Sequence, residues 1–381
     1  MSNQVEVKPV ENEEPAQICE RYRLQSMIAA ALPKARIHWC LKHRKQEYVE
    51  IRYSEEKKRA WYGGLMRCGS SWVCPLCARK LAEQRRSELE ALMVAAQDKA
   101  AMCMITYTAR HELHTPLKDT LTRMQAAYRE IKSGRGYQSM KEETGWIGSV
   151  RAIEATWGSE NGWHPHYHEL AFFDARVVGQ WAAAYRLHAN DGIRILSNWL
   201  RNQLFTHYWL PSLRKHGLYA SADHGLDVKP GNQALFDYIS KYAMLPLPDA
   251  NLGDGDIAGL AYEMTYSQTK KARKSGYSFW QLAGKLPETS GLVAEYYRAT
   301  FGKAQLYWSR GLREWAQLGG EYEDRELVEI DDPYYVLEIL TPEEWSRVLR
   351  FGDRGRLIVL ASQGDPEIIQ TYLDTLPDLT P

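Results

Sequence analysis

The chain has 381 residues, 44% hydrophobic and 25% charged, which is enough for two or three domains with ordinary cores. No run of eighteen apolar residues occurs and Met1–Pro15 is acidic and polar, without the order of a secretory signal, so no membrane span is implied and a cytoplasmic protein is expected. Formal net charge is zero, but residues 319–381 hold 15 acidic and 5 basic residues, leaving 43 basic and 33 acidic residues elsewhere. A basic body with an acidic tail points to a polyanion partner for the body.

Residues 1–16 are rich in Glu with few apolar side chains and are expected to be a disordered tail. Residues 17–100 form a cysteine-rich region that ends in a long helix, about 78–99. Its Cys68, Cys74 and Cys77 include a C-P-x-C knuckle, a spacing that suits one tetrahedral zinc in a reducing compartment. Cys40 is the best fourth ligand, with His38, His43 or Cys19 as substitutes. Buried thiols without metal are the competing reading, and Cys103 reads as core. Basic residues surround this segment: Lys42 to Lys45, Lys57 to Arg59, and Arg79, Lys80, Arg85 and Arg86. Such cations suit phosphate contacts.

Residues 101–318 read as an α+β domain: an antiparallel sheet with helices on one face. A strand over 101–110 is followed by an amphipathic helix, 117–131. Strands 147–157 and 163–173 flank Gly158-Ser159-Glu160-Asn161-Gly162, a loop of hairpin length. Helices are expected over 177–187 and 193–208, then a strand at 226–228 before Pro230-Gly231, and helices over 232–244 and 290–315. In the acidic region, 319–381, Pro342–Leu349 and Leu357–Leu360 carry helix-like and strand-like patterns.

The second strand of the hairpin contains His164-Pro165-His166-Tyr167-His168. Alternation places all three imidazoles on one face. Pairing Trp157 with Trp163 sets Glu154 opposite His166, with Cβ atoms about 4.5–5.5 Å apart. Two histidines and a carboxylate are a ligand set for a divalent ion such as Mg²⁺ or Mn²⁺, with positions left open. His164, at the strand start, is the weaker ligand. A register slip of one residue would turn Glu154 away.

Tyr238 and Tyr242 stand at i and i+4 of a helix, with Lys241 beside them. A phenol can attack phosphate, and a nearby cation favours the phenolate. Alone the pair is weak, because 23 tyrosines yield such spacing by chance. Lys270, Lys271, Arg273 and Lys274 form another basic cluster, just before Tyr277, Phe279 and Trp280, which are aromatics suited to stacking on unpaired bases.

Together, Ile105-Thr106-Tyr107-Thr108, the stretch Trp163–Leu170 and Tyr238-Ile239-Ser240-Lys241-Tyr242 resemble, in order, three motifs of the HUH endonucleases. Closest are the rolling-circle replication initiators of plasmids and single-stranded DNA phages. The resemblance spans roughly 36–316 and follows the two-tyrosine pattern. It implies metal ligation at the histidine motif, and Tyr242 as nucleophile with Tyr238 for a second strand transfer. It further implies nicking of origin DNA that is single-stranded at the nick, a 5′-phosphotyrosyl link and a free 3′-hydroxyl. Ala243-Met244-Leu245 lacks the lysine often found there. No G-x-x-x-x-G-K-[ST] loop is present, so no nucleotide cofactor is expected and a host helicase would unwind the duplex. A two-tyrosine rolling-circle transposase shares these residues. A zinc-dependent DNA-binding repressor without nuclease activity is the alternative from another class.

Overall fold

Two strands of thirteen residues, β4 (Trp146–Gly158) and β5 (Gly162–Asp174), form the spine of the larger of two units. The structure, a computed structural model, describes residues 15–184, 189–231 and 276–378. These divide into one unit of residues up to Cys68 together with Val328 onward, and a second unit, Gly69–Leu327. The acidic chain end, read in the sequence as a region of its own, thus shares a unit with the N-terminal segment.

In the larger unit, β3 (Ala100–Thr108), β6 (Leu226–Pro230), β7 (Gly276–Tyr277) and β8 (Leu306–Trp308) join the hairpin. The sheet runs β6-β3-β5-β4-β7, with β8 also on β4, and every pairing is antiparallel. The expected antiparallel sheet is therefore observed within a mixed α and β chain. The hairpin register is the one the sequence indicated: Trp157 pairs with Trp163 and Glu154 with His166. Gly162 lies at φ +74° at the turn, and a Cβ there would come within 2.7 Å of the Leu113 carbonyl oxygen. Glycine meets both demands. Pro165 is tolerated because β3 pairs with β5 only from His166 onward, so at Pro165 one side of β5 carries no ladder.

Tyr107, Tyr167 and Glu169 share the face opposite the histidines, because side chains alternate. The helix Leu117–Ser133 packs there: Tyr128 meets Tyr107 and Tyr167 edge-on at 5.5 and 5.6 Å. Trp209 meets Tyr107 at 5.2 Å and donates its indole N–H to the Thr108 carbonyl at 2.9 Å. At the centre, the fully buried Glu169 accepts from Lys132 Nζ (2.9 Å to each oxygen), Tyr107 (3.0 Å), Tyr128 (2.9 Å) and Ser149 (2.5 Å). Burial opposes the Glu169 charge, but Lys132 and these donors outweigh it and hold its carboxyl below the usual range. Burial likewise pulls the Lys132 ammonium down, to about 8, against the opposing field of Glu169.

Several expectations need correction. The helix expected over 290–315 is broken: Ser290–Thr300 is helical, Leu306–Trp308 pairs with β4, and Leu312–Trp315 is a short turn of helix. Gly302, at φ +72°, carries the reversal between the first two. The helix expected over 193–208 starts at Ala189 and passes into a π-helical stretch, Leu204–Trp209. Leu357–Leu360 is helical, inside Arg354–Ala361. Its apolar run satisfies a buried helix as well as a strand, which periodicity cannot separate at that length.

The smaller unit has a three-stranded sheet of β1 (Val49–Ser54), β2 (Arg59–Gly63) and β9 (Tyr335–Leu340), in the order β2-β1-β9. The helix Pro15–Ala31 packs against Arg354–Ala361, and Gly355 permits it, since a Cβ there would lie 2.8 Å from Cys19 Cα.

Removing one partner of a buried ion pair strands the other charge. Lys132→Met should destabilise the larger unit by about 3–5 kcal/mol, read as a fall in unfolding midpoint in urea. Lys132→Met/Glu169→Leu should recover most of that loss.

Candidate metal centre

The even-numbered face of the hairpin carries Glu154, His166 and His168. One ligand atom from each lies within 4.8 Å of the other two. The carboxylate Oε2 of Glu154 is 2.7 Å from His166 Nε2 and 3.1 Å from His168 Nε2. Glu154 and His168 are buried, at 4% and 6% exposure, and His166 is half-buried. Burial raises the cost of the Glu154 charge, but the facing imidazoles outweigh it and hold its carboxyl at about 2. It is thus an anionic oxygen donor across the useful pH range.

Thr106 stands beside His168 on β3, and its hydroxyl lies 3.1 Å from His168 Nδ1. That contact orients the ring and leaves Nε2 toward Glu154, the outer-shell arrangement that metal-binding histidines require. Two nitrogens and one carboxylate oxygen from adjacent strands can hold a divalent cation with positions left open for water or a phosphate oxygen.

His164 stands apart from this cluster. Its ring stacks on His111 at 4.5 Å with 21° between planes. Burial, followed by the neighbouring His166, lowers its pKa to about 3, so the ring stays neutral. Burial also lowers His111. The pairing of His111 with His164 was not legible in the sequence, because His111 belongs to the segment after β3 and no periodicity links it to β5. The same segment bends round the hairpin tip to a cavity of about 1000 Å³ lined in part by Lys118, Trp157, Trp163, Tyr297, Arg298 and Phe301.

Cys40 and Cys68 are buried in the smaller unit and Cys74 and Cys77 in the larger, and none is in a disulfide. Cys74 is the N-cap of the helix Pro75–Ala96, and Cys77 lies in its first turn. Cys103 is buried in β3, and burial raises its thiol pKa strongly, in keeping with a core role.

The basic residues divide. Arg85 is buried and bonded to Glu88, Asp324 and the Tyr322 carbonyl, and Arg86 is buried and paired with Glu90. Both guanidinium groups serve the fold, so the structure does not present them as open phosphate contacts. Arg79 pairs with Glu83 at 2.9 Å, and Lys80 is half-buried. Phe279 and Trp280 are core residues of a capped helix, whereas Tyr277 stacks on Trp157 at 6.2 Å under Lys285. The tyrosine motif, with Tyr238, Lys241 and Tyr242, lies outside the described residues, as does the cluster Lys270, Lys271, Arg273 and Lys274.

Mn²⁺ titration followed by electron paramagnetic resonance should rank the ligands. Glu154→Ala and His168→Ala should each weaken binding by at least about tenfold, and Thr106→Val by about tenfold. His164→Ala should change it by less than about twofold, because its ring lies outside the cluster.

Residues 66–185 match the family described as Replication protein. The chain is 26% identical to a curated "Protein rep" of Streptomyces lividans, over 68% of this chain and 65% of that protein. It is 28% identical to a "Neomycin resistance protein" of Streptomyces cyanogenus, over 31% of this chain and 32% of that protein. The chain thus spans just under two thirds of the first relative and about a third of the second. No solved structure matches. No helix among the described residues is long and apolar enough to cross a membrane. The matched segment holds the Cys68–Cys77 knuckle, the Thr106 strand and the whole histidine motif, so the expected resemblance to replication initiators is supported there, whereas Tyr238 and Tyr242 lie outside the match.

Proposed function

We propose that this chain is a rolling-circle replication initiator that nicks one DNA strand at its origin and later transfers strands to end the cycle. The observation that carries the reading is the convergence of Glu154, His166 and His168 on one sheet face in a chain related to replication proteins. A bound Mg²⁺ or Mn²⁺ would polarise the scissile phosphate there and offset its growing charge. Glu154 and the two imidazoles hold the ion, and Thr106 keeps His168 in its ligating orientation.

Tyr242 then attacks phosphorus through its phenol oxygen. The new bond is tyrosine O–P, and the bond to the 3′ oxygen breaks, leaving a 5′-phosphotyrosyl link and a free 3′-hydroxyl that can prime synthesis. The phenol proton leaves to solvent or a nearby base, and the departing 3′ oxygen takes one up. Lys241 favours the phenolate, and Tyr238 serves the second transfer. The phosphodiester energy is kept in the tyrosyl bond, so rejoining needs no nucleotide, and a separate helicase supplies unwinding. Lys270, Lys271, Arg273 and Lys274 remain proposed backbone contacts. The cavity at the hairpin tip, with its aromatic rings beside Lys118 and Arg298, suits unpaired bases flanking the nick. Cys40, Cys68, Cys74 and Cys77 hold a structural Zn²⁺ that supplies folding energy rather than chemistry.

Supercoiled DNA bearing the cognate origin, incubated with the protein and Mn²⁺, should give relaxed circles and a covalent adduct whose DNA-linked peptide contains Tyr242. Absence of both would overturn the enzyme reading. Tyr242→Phe should lower nicking by at least about a thousandfold, as expected when a covalent nucleophile is lost, and full-rate nicking by that variant would remove the assignment. Elemental analysis should find one zinc per chain, and Cys77→Ala should lose it together with a lower unfolding temperature.

A further inference from the structure

The acidic chain end does not lie idle against the smaller unit. An irregular segment, 328–334, leads into β9 and carries Glu329, Asp331 and Asp332. Each carboxylate meets cations from β1, β2 and their flanks. Glu329 pairs with Lys45 at 2.6 Å. Asp331 pairs with Arg52 at 2.6 Å and lies 3.7 Å from Arg67. Asp332 pairs with Lys57 at 2.6 Å and Arg59 at 2.8 Å. Tyr334 closes the strap, with the Arg52 guanidinium 4.4 Å over its ring and Trp61 edge-on at 5.9 Å.

Five cations thus meet three carboxylates. Lys45, Lys57 and Arg59 belong to the runs whose charge suggests phosphate contacts, yet here an internal polyanion occupies them. The outer contacts are solvent-exposed: Lys45 and Glu329 are 44% and 45% exposed, and Lys57 is 43% exposed. Exposed ion pairs of this kind are individually weak and exchange readily. A phosphodiester backbone presents the same chemistry, repeated anionic oxygens, and gains further from counterion release. Trp61 meets the Tyr334 ring edge-on and the Arg52 guanidinium covers one face of that ring, which favours a duplex backbone over unpaired bases.

We propose that Lys45, Arg52, Lys57, Arg59 and Arg67 form a surface for duplex DNA backbone, and that the strap of Glu329, Asp331 and Asp332 occupies it as an autoinhibitory stand-in for phosphates. DNA binding there displaces the strap, and the strap sets a threshold that discourages binding to arbitrary sequence. This surface shares no residue with the candidate metal centre, so its test uses no divalent metal and no origin.

The full chain is titrated against a fluorescent duplex of arbitrary sequence, with anisotropy read over a range of salt. Glu329→Gln/Asp331→Asn/Asp332→Asn should bind about tenfold tighter or more at 0.1 M salt, and the slope of log affinity against log salt should steepen by about 3. Equal affinity and slope in a variant with native circular dichroism would overturn the proposal. Should the triple variant fail to fold, the exposed pair decides: Glu329→Gln should raise affinity about two- to threefold, and adding Lys45→Gln should cancel the gain. No gain from Glu329→Gln would equally overturn it.

Discussion

The pairing of Glu154 with His166 is the constraint on which the candidate metal centre depends. Side chains alternate along a strand, so a slip of one residue would send Glu154 to the opposite face and dissolve the ligand set. Two features hold the register. At the tip, Gly162 turns the chain where any other side chain would collide with the backbone at Leu113. Behind the sheet, Glu169 of β5 is locked by Lys132, Tyr107, Tyr128 and Ser149, and a slip of β4 would break the bond from Ser149. The face that does no chemistry thereby fixes the face that can.

The two buried carboxylates show how environment assigns roles. Glu169 has its oxygens taken by an ammonium and three hydroxyls, all supplied by the fold. Glu154 faces only imidazoles, which are themselves potential ligands. Both carboxyls are held ionised against burial, Glu169 by the Lys132 ammonium and Glu154 by the facing imidazoles. His164 marks the limit of the site: it shares the alternation of His166 and His168 yet stacks on His111 instead.

Charge tells a similar story in the smaller unit. Lysines and arginines clustered in sequence are not alike once folded. Arg52 stacks on Tyr334 and pairs with Asp331, whereas Lys45 and Lys57 keep nearly half their surface in water. In the larger unit, Arg85 and Arg86 are consumed by carboxylates close by in the fold. Composition records the opposite charges of body and chain end but not where they meet.

The sequence determined what is local. Period-two alternation put the histidines on one face, the turn residues set the hairpin length, and together they yielded the register and Glu154. The knuckle spacing identified three thiols. Elements with a short apolar run were less legible: Leu357–Leu360 suits strand or helix alone, and only packing against Pro15–Ala31 selects the helix. The tertiary structure decided what joins distant segments: Thr106 behind His168, His111 over His164, the burial of Arg85, Phe279 and Trp280, and the strap across β1 and β2. These contacts link residues separated by tens to hundreds of positions. Their energies depend on burial and partner geometry, which no spacing rule encodes.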